Sequence, residues 1–171
     1  MISITKTTMH LTGWILWLKA RWGILSNADY GRVVMYYQMY HYSLAINILK
    51  TFFKYQRLND YIARSMVECS QGEIARVYLM WLKEGRNNIP TSLFDYLIES
   101  ENFPLLKEFI NEIPLTIRQE RDLIRMAYSY GGTFIDILKH YLSVNLEGKS
   151  LRSELNLRLM KQLREKYPTI V

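Results

Sequence analysis

The sequence predicts an all-α fold, and three observations carry that prediction. Apolar residues recur at three- and four-residue spacing along nearly the whole chain, the signature of one face of a helix. Alternating strand patterns bounded by turn dipeptides are missing. One six-residue pattern also returns several times, as expected for helix pairs laid in a row.

Stop signals divide the periodic stretches: Gly23 and Asn27, Gln71-Gly72, the run from Gly85 to Pro90, Pro104, Pro114, Gly131-Gly132, Gly148 and Pro168. Helices are expected between them at about residues 12–24, 28–41, 43–55, 58–70, 72–84, 91–101, 104–112, 116–130, 133–144 and 150–167.

The first of these follows Lys6 and His10 and contains the run Trp14-Ile15-Leu16-Trp17-Leu18. Lys19 and Arg21 close the run well short of the roughly 20 apolar residues a spanning helix needs, and no small-residue cleavage site follows, so a signal sequence is not expected. The reading is an amphipathic helix starting near Thr12, its Trp face in the core or, as the alternative, against a membrane surface.

Further along, Gly85 after Leu82, Lys83 and Glu84 is expected to be a left-handed stop. Thr91 or Ser92 is expected to cap the next helix, with Asp95 in its first turn, where the helix dipole favours a carboxylate. Ser150 is the expected cap of the final helix, whose Leu151, Leu155, Leu159 and Leu163 form an apolar stripe. Arg152, Arg158, Lys161 and Arg164 flank that stripe, so this helix is expected to pack as a lid with a basic outer face.

The repeated pattern is two aliphatics, a Lys, a variable position, an aromatic and a hydrophobe. It reads Ile48-Leu49-Lys50-Thr51-Phe52-Phe53, then Leu105-Leu106-Lys107-Glu108-Phe109-Ile110, then Ile137-Leu138-Lys139-His140-Tyr141-Leu142. A weaker copy spans Val77 to Leu82, where Trp81 is expected to be buried. A further helix precedes each copy, so the expected architecture is about four helix pairs, ankyrin-like or α-solenoid-like, with the Trp helix in front and the lid behind. One helix pair cannot bury its apolar face alone, and stacking pairs supplies a shared core. An irregular helical bundle is the structural alternative.

The segment from Pro90 to Ile110 resembles an ankyrin repeat in layout, with a Thr-containing entry at Thr91-Ser92-Leu93-Phe94, a short first helix, a tight turn and a second helix carrying Leu105-Leu106-Lys107. The family's Thr-Pro-Leu-His entry is echoed and not matched, and its glycines at the turn and after the second helix are missing. The resemblance implies a protein-recognition scaffold and carries over no contact residue.

A chain of 171 residues is expected to form one domain over residues 1–171, and with 49% hydrophobic and 22% charged residues it is too apolar for intrinsic disorder. The net charge of +6 suits an acidic partner, although the Lys and Arg residues are spread along the chain with no block of like charge. Cys69 stands alone, which excludes an internal disulfide and fits a reducing, cytoplasmic setting.

Motifs for known chemistry are missing. There is no Gly-x-Gly-x-x-Gly, Gly-x-Ser-x-Gly or His-Glu-x-x-His, and Gly148-Lys149-Ser150 lacks both the partner glycine and the strand of a phosphate-binding loop. His10, His41 and His140 are too far apart in sequence for a helix-borne metal pair. Glu108 and Glu112 share a helix face but read as a solvated pair, and Cys69 with His41 reads as core. No enzyme activity, cofactor or metal is expected.

The expected function is a non-enzymatic protein-interaction module, an adaptor, regulator or chaperone-like subunit of a larger assembly, whose partner is another protein with an acidic surface. The expected contact residues are Tyr36, Tyr37, Tyr40 and Tyr42, since tyrosine offers area and a polar tip at low entropic cost, with Arg158 and Lys161 steering the encounter. The alternative is a basic nucleic-acid-binding regulator. There Arg121 to Leu142 would be a helix-turn-helix, with Ala127, Gly131 and Ile137 at suitable spacing and Thr133 to Leu142 as recognition helix.

Overall fold

In the computed structural model, which describes residues 6–40, 43–56, 58–68, 72–85, 87–145, 153–168 and 170, the regular elements are all helices. In chain order they are α1 (Lys6–Arg21), α2 (Asn27–Tyr40), α3 (Ser43–Tyr55), α4 (Asp60–Glu68), α5 (Glu73–Gly85), α6 (Thr91–Glu99), α7 (Phe103–Glu112), α8 (Ile117–Tyr130), α9 (Gly132–Asn145) and α10 (Glu154–Lys166). The all-α prediction holds, and α2 through α9 begin and end within two residues of the expected spans.

The departures have local causes. α1 starts at Lys6, six residues early, because nothing before Gly13 breaks a helix, and Gly13 itself costs only about 1 kcal/mol inside one. α6 takes no side-chain cap from Thr91 or Ser92, since Thr91 is already its first residue and Pro90 supplies the extended entry (φ −60°, ψ 143°). α10 is capped by Ser153, whose hydroxyl accepts the Asn156 N–H. The expected cap Ser150 lies outside the described residues, as does Leu151.

The chain falls into two compact units, Met1–Gly85 and Arg86–Val171. In the first, α2 packs on α3 and α4 on α5, while α3 also packs on α5 and α1 lies mainly on α3. A run of rings passes through this core: Tyr30 meets Phe52 at 5.5 Å, Phe53 meets Tyr78 at 4.6 Å, and Tyr78 stacks on Trp81 at 5.4 Å. Trp81 itself is half-buried, a step outward from the expected buried position.

The exit from α1 is fixed by a Schellman turn. Gly23 (φ +68°) donates to Ala20 O and Ile24 to Lys19 O. A side chain at Gly23 would be strained by that φ and would meet the Tyr55 carbonyl at 3.1 Å. Immediately after it, Asp29 is buried at the entry to α2 and accepts from Lys19 Nζ at 2.9 Å and from the Ser26 hydroxyl at 2.9 Å. Burial pushes its carboxyl up, but the bonds from Lys19 and Ser26 outweigh that and hold it below the ordinary aspartate value.

In the second unit α6 packs on α7, α8 on α9, α7 on α9, and α10 on α8. A capping box starts α8, with the Thr116 hydroxyl accepting from Gln119 N and the Gln119 side chain accepting from Thr116 N. The same Gln119 amide donates to Ile89 O at 2.8 Å, tying the loop before α6 to the start of α8.

The three strong copies of the repeated pattern fall on α3, α7 and α9, and the weak copy on α5, so all four lie on the second helix of a pair. Their burial is shared. Positions one, two, five and six are buried in each strong copy, as at Ile48, Leu49, Phe52 and Phe53, while Lys50, Lys107 and Lys139 stay at least partly exposed.

Candidate functional site

Helical spacing alone places the residues of α1 on two faces. Leu16 and Ala20 point inward and are buried. Leu11, Trp14, Ile15, Leu18 and Trp22 fall within an arc of about 100° on the other side, at 3.6 residues per turn. All five are exposed, Trp14 by 56% and Trp22 by 68%, and Ile24 after the turn is exposed as well. Trp14 and Trp22 thus face outward, contrary to the core-facing Trp side expected from the sequence, because Leu16 and Ala20 supply the packed face. Trp14 meets Trp17 edge-on at 5.7 Å, and the Arg21 guanidinium lies 5.5 Å from the Trp17 ring centre.

α10 buries Asn156, Met160 and Leu163 and leaves Leu155 44% exposed. The expected Leu151, Leu155, Leu159, Leu163 stripe does not form the packed face, because a strict four-residue row turns by about 40° at each step and drifts off one side of the helix. A polar residue anchors the packed face. Asn156 is fully buried, and its amide donates to Glu120 on α8 and to Ile117 O at 3.3 Å. Glu120, only 2% exposed, also accepts from the Tyr141 hydroxyl of α9 at 3.0 Å. This carboxylate thus joins α8, α9 and α10, and its hydrogen bonds offset the cost of burying it.

Beside that anchor, α8 and α10 enclose a cleft of about 580 Å³ lined by Ile124, Arg125, Tyr128, Ser129, Leu159, Gln162, Glu165 and Lys166. Among these, Lys166 donates to Tyr128 O at 2.7 Å, with its ammonium 4.4 Å from the Tyr128 ring centre. Gly131 keeps the nearby turn narrow, since at φ +64° a Cβ there would sit 2.9 Å from the Tyr167 hydroxyl.

The sequence-predicted contact residues separate. Tyr36 is buried at 5% exposure and belongs to the packed side of α2, which removes it from any surface; Tyr37 is half-buried. The side chain of Tyr40 and the whole of Tyr42, His41 and Cys69 lie outside what is described. Arg158 and Lys161 are exposed on the outer side of α10, where Glu154 and Glu165 are exposed as well, so that side is of mixed charge rather than uniformly basic. Sequence reasoning missed Arg125 and Tyr128, and it assigned Leu159 to an apolar stripe rather than to a cleft wall. The i, i+3 spacing of Arg125 and Tyr128 was visible, but only the packing of α10 on α8 turns it into one wall of a cleft.

Arg121 to Leu142 forms most of α8, a turn at Gly131 and most of α9. On α9 the outward positions include Thr133, Asp136, Lys139 and Ser143, a single cation beside a carboxylate. Among the described residues no three His, Cys, Asp or Glu side chains are grouped as metal ligands, and no helix is long and apolar enough to cross a membrane. His140 Nε2 lies 2.7 Å from Asn111 Oδ1. Comparison of the chain with protein-family models, with curated proteins and with solved structures gave no match.

Proposed function

We propose that the chain is a non-enzymatic protein-interaction module, an adaptor or regulatory subunit within a larger assembly, and that its second unit receives an acidic segment of a partner protein at the α8–α10 cleft. The observation that supports this reading is the lining of the cleft. Arg125 and Lys166 face it against one carboxylate, Glu165, and Ile124, Tyr128 and Leu159 give it apolar walls. Aromatic rings and Arg are the residue types that carry most binding energy at protein interfaces, whereas charges at the rim mainly set association rate and salt dependence.

Arg158 and Lys161 keep the steering role in this reading, as exposed cations on the outer side of the same helix. The test is to place a photoreactive amino acid at Gln162, cross-link in the native host, identify the captured protein and measure its affinity in purified form. Arg125→Glu is expected to raise the Kd at least tenfold at every salt concentration, and Arg158→Ala with Lys161→Ala to raise it only at low salt. An affinity untouched by Arg125→Glu would remove the cleft from the interface.

A further inference from the structure

The apolar row of α1 is not used by the reading above, and its surroundings indicate what it meets. It runs from Leu11 through Trp14, Ile15 and Leu18 to Trp22 just past the end of the helix, all exposed. Helical spacing puts Lys19 along one edge and Arg21 along the other. Residues 1–32 contain Lys6, Lys19, Arg21 and Arg32 against a single acid, Asp29, and that acid is buried under Lys19 with Arg32 3.7 Å away. The outward side of this region therefore presents tryptophan and leucine between cations and no exposed carboxylate.

We propose that α1 binds an anionic lipid surface, lying in the plane of the bilayer with the Leu11-to-Trp22 row immersed at the boundary of headgroups and acyl chains. Tryptophan prefers that boundary because its ring is apolar and its N–H is polar. Arg21, exposed beside the Trp17 ring, is the edge cation that meets anionic headgroups, while Lys19 stays on Asp29 and masks the one acid of the region. Sixteen residues give a helix about 24 Å long, and the Lys and Arg on its edges favour lying flat over spanning.

The test uses the full chain and vesicles of phosphatidylcholine alone or mixed with phosphatidylserine, read by flotation and by tryptophan emission, since Trp14, Trp17 and Trp22 supply three of the four tryptophans. The expected result is binding to the anionic vesicles with a blue shift, at least tenfold stronger than to phosphatidylcholine alone and weakened by salt. Trp14→Ser with Leu18→Ser is expected to abolish binding at unchanged helical content, Arg21→Glu to weaken it several-fold, and Arg125→Glu to leave it unchanged. Absence of binding to anionic vesicles overturns the proposal, as does equal binding by the Trp14, Leu18 double variant. A wild-type dimer that this variant dissociates also overturns it, by assigning the row to a second copy.

Discussion

α1 and α10 are helices of similar length, each laid mainly against one neighbour, α3 for the first and α8 for the second. Their inner sides obey the same rule, a narrow buried face of Leu16 and Ala20 in one and of Asn156, Met160 and Leu163 in the other. Their outer sides differ. α10 turns Arg158, Lys161 and Glu165 to solvent together with Leu155 and Leu157, while α1 turns out the tryptophan rings of Trp14 and, just past its end, Trp22, with Leu18 between them. A helix that only closes a core gains nothing by exposing large rings. The outer face therefore carries information about contact that the inner face does not.

The largest effects should fall on the inner faces and be alike in the two helices. Leu16→Ala and Leu163→Ala are each expected to lower unfolding free energy by about 2–5 kcal/mol in urea titrations, because both side chains are fully enclosed. A small loss at Leu16 alone would mean that α1 is loosely held and break the comparison.

A smaller effect distinguishes how the helices are fixed. Asn156→Leu leaves the buried Glu120 carboxylate with one donor fewer and is expected to cost about 1–3 kcal/mol. Adding Glu120→Leu should recover part of that loss, as removing both partners of a buried pair costs less than orphaning one. A double-mutant cycle measures the coupling directly.

For α1 the corresponding tie is Asp29, whose folded carboxyl lies below its ordinary value. Protonation then favours the unfolded chain. The stability Asp29 supplies is complete above the ordinary carboxylate range, near pH 4, and is lost as pH falls through the lower folded value. The stability gap between the wild type and Asp29→Asn should accordingly stay constant near neutrality and shrink only below about pH 4. A gap already closing at pH 6 would assign the tie to another group.

The smallest stability effects belong to the outer faces. Leu18→Ser and Arg158→Ala should each stay within about 0.5 kcal/mol of wild type by thermal melting. That near-equality sharpens the comparison, since only the first is expected to change binding to lipid.

The helices of the middle of the chain were legible because punctuation and periodicity agree there: Gly131 ends α8, Pro104 marks the first turn of α7, and the paired aliphatics with an aromatic four positions on give one buried face each to α3, α7 and α9. The ends were harder to read. α1 is apolar on most sides, so spacing alone could not say whether the Trp row or the Leu16 and Ala20 row turned inward. In α10 the four leucines outweighed Asn156 in any reading by hydropathy, although Asn156 is the residue held fully inside, because its partner Glu120 lies 36 positions away in sequence. The cleft was invisible for the same reason: its two walls belong to helices that meet only in the folded unit.

The central claim, that the outer row of α1 is a contact surface for anionic lipid, is tested most directly by brominated-lipid quenching of single-tryptophan variants. One variant keeps Trp14 and the other keeps Trp81, with the remaining tryptophans changed to Phe. On anionic vesicles brominated near the headgroup, Trp14 is expected to be strongly quenched, and Trp81, stacked on Tyr78, to be unaffected. Equal emission from Trp14 with and without bromine would contradict the account.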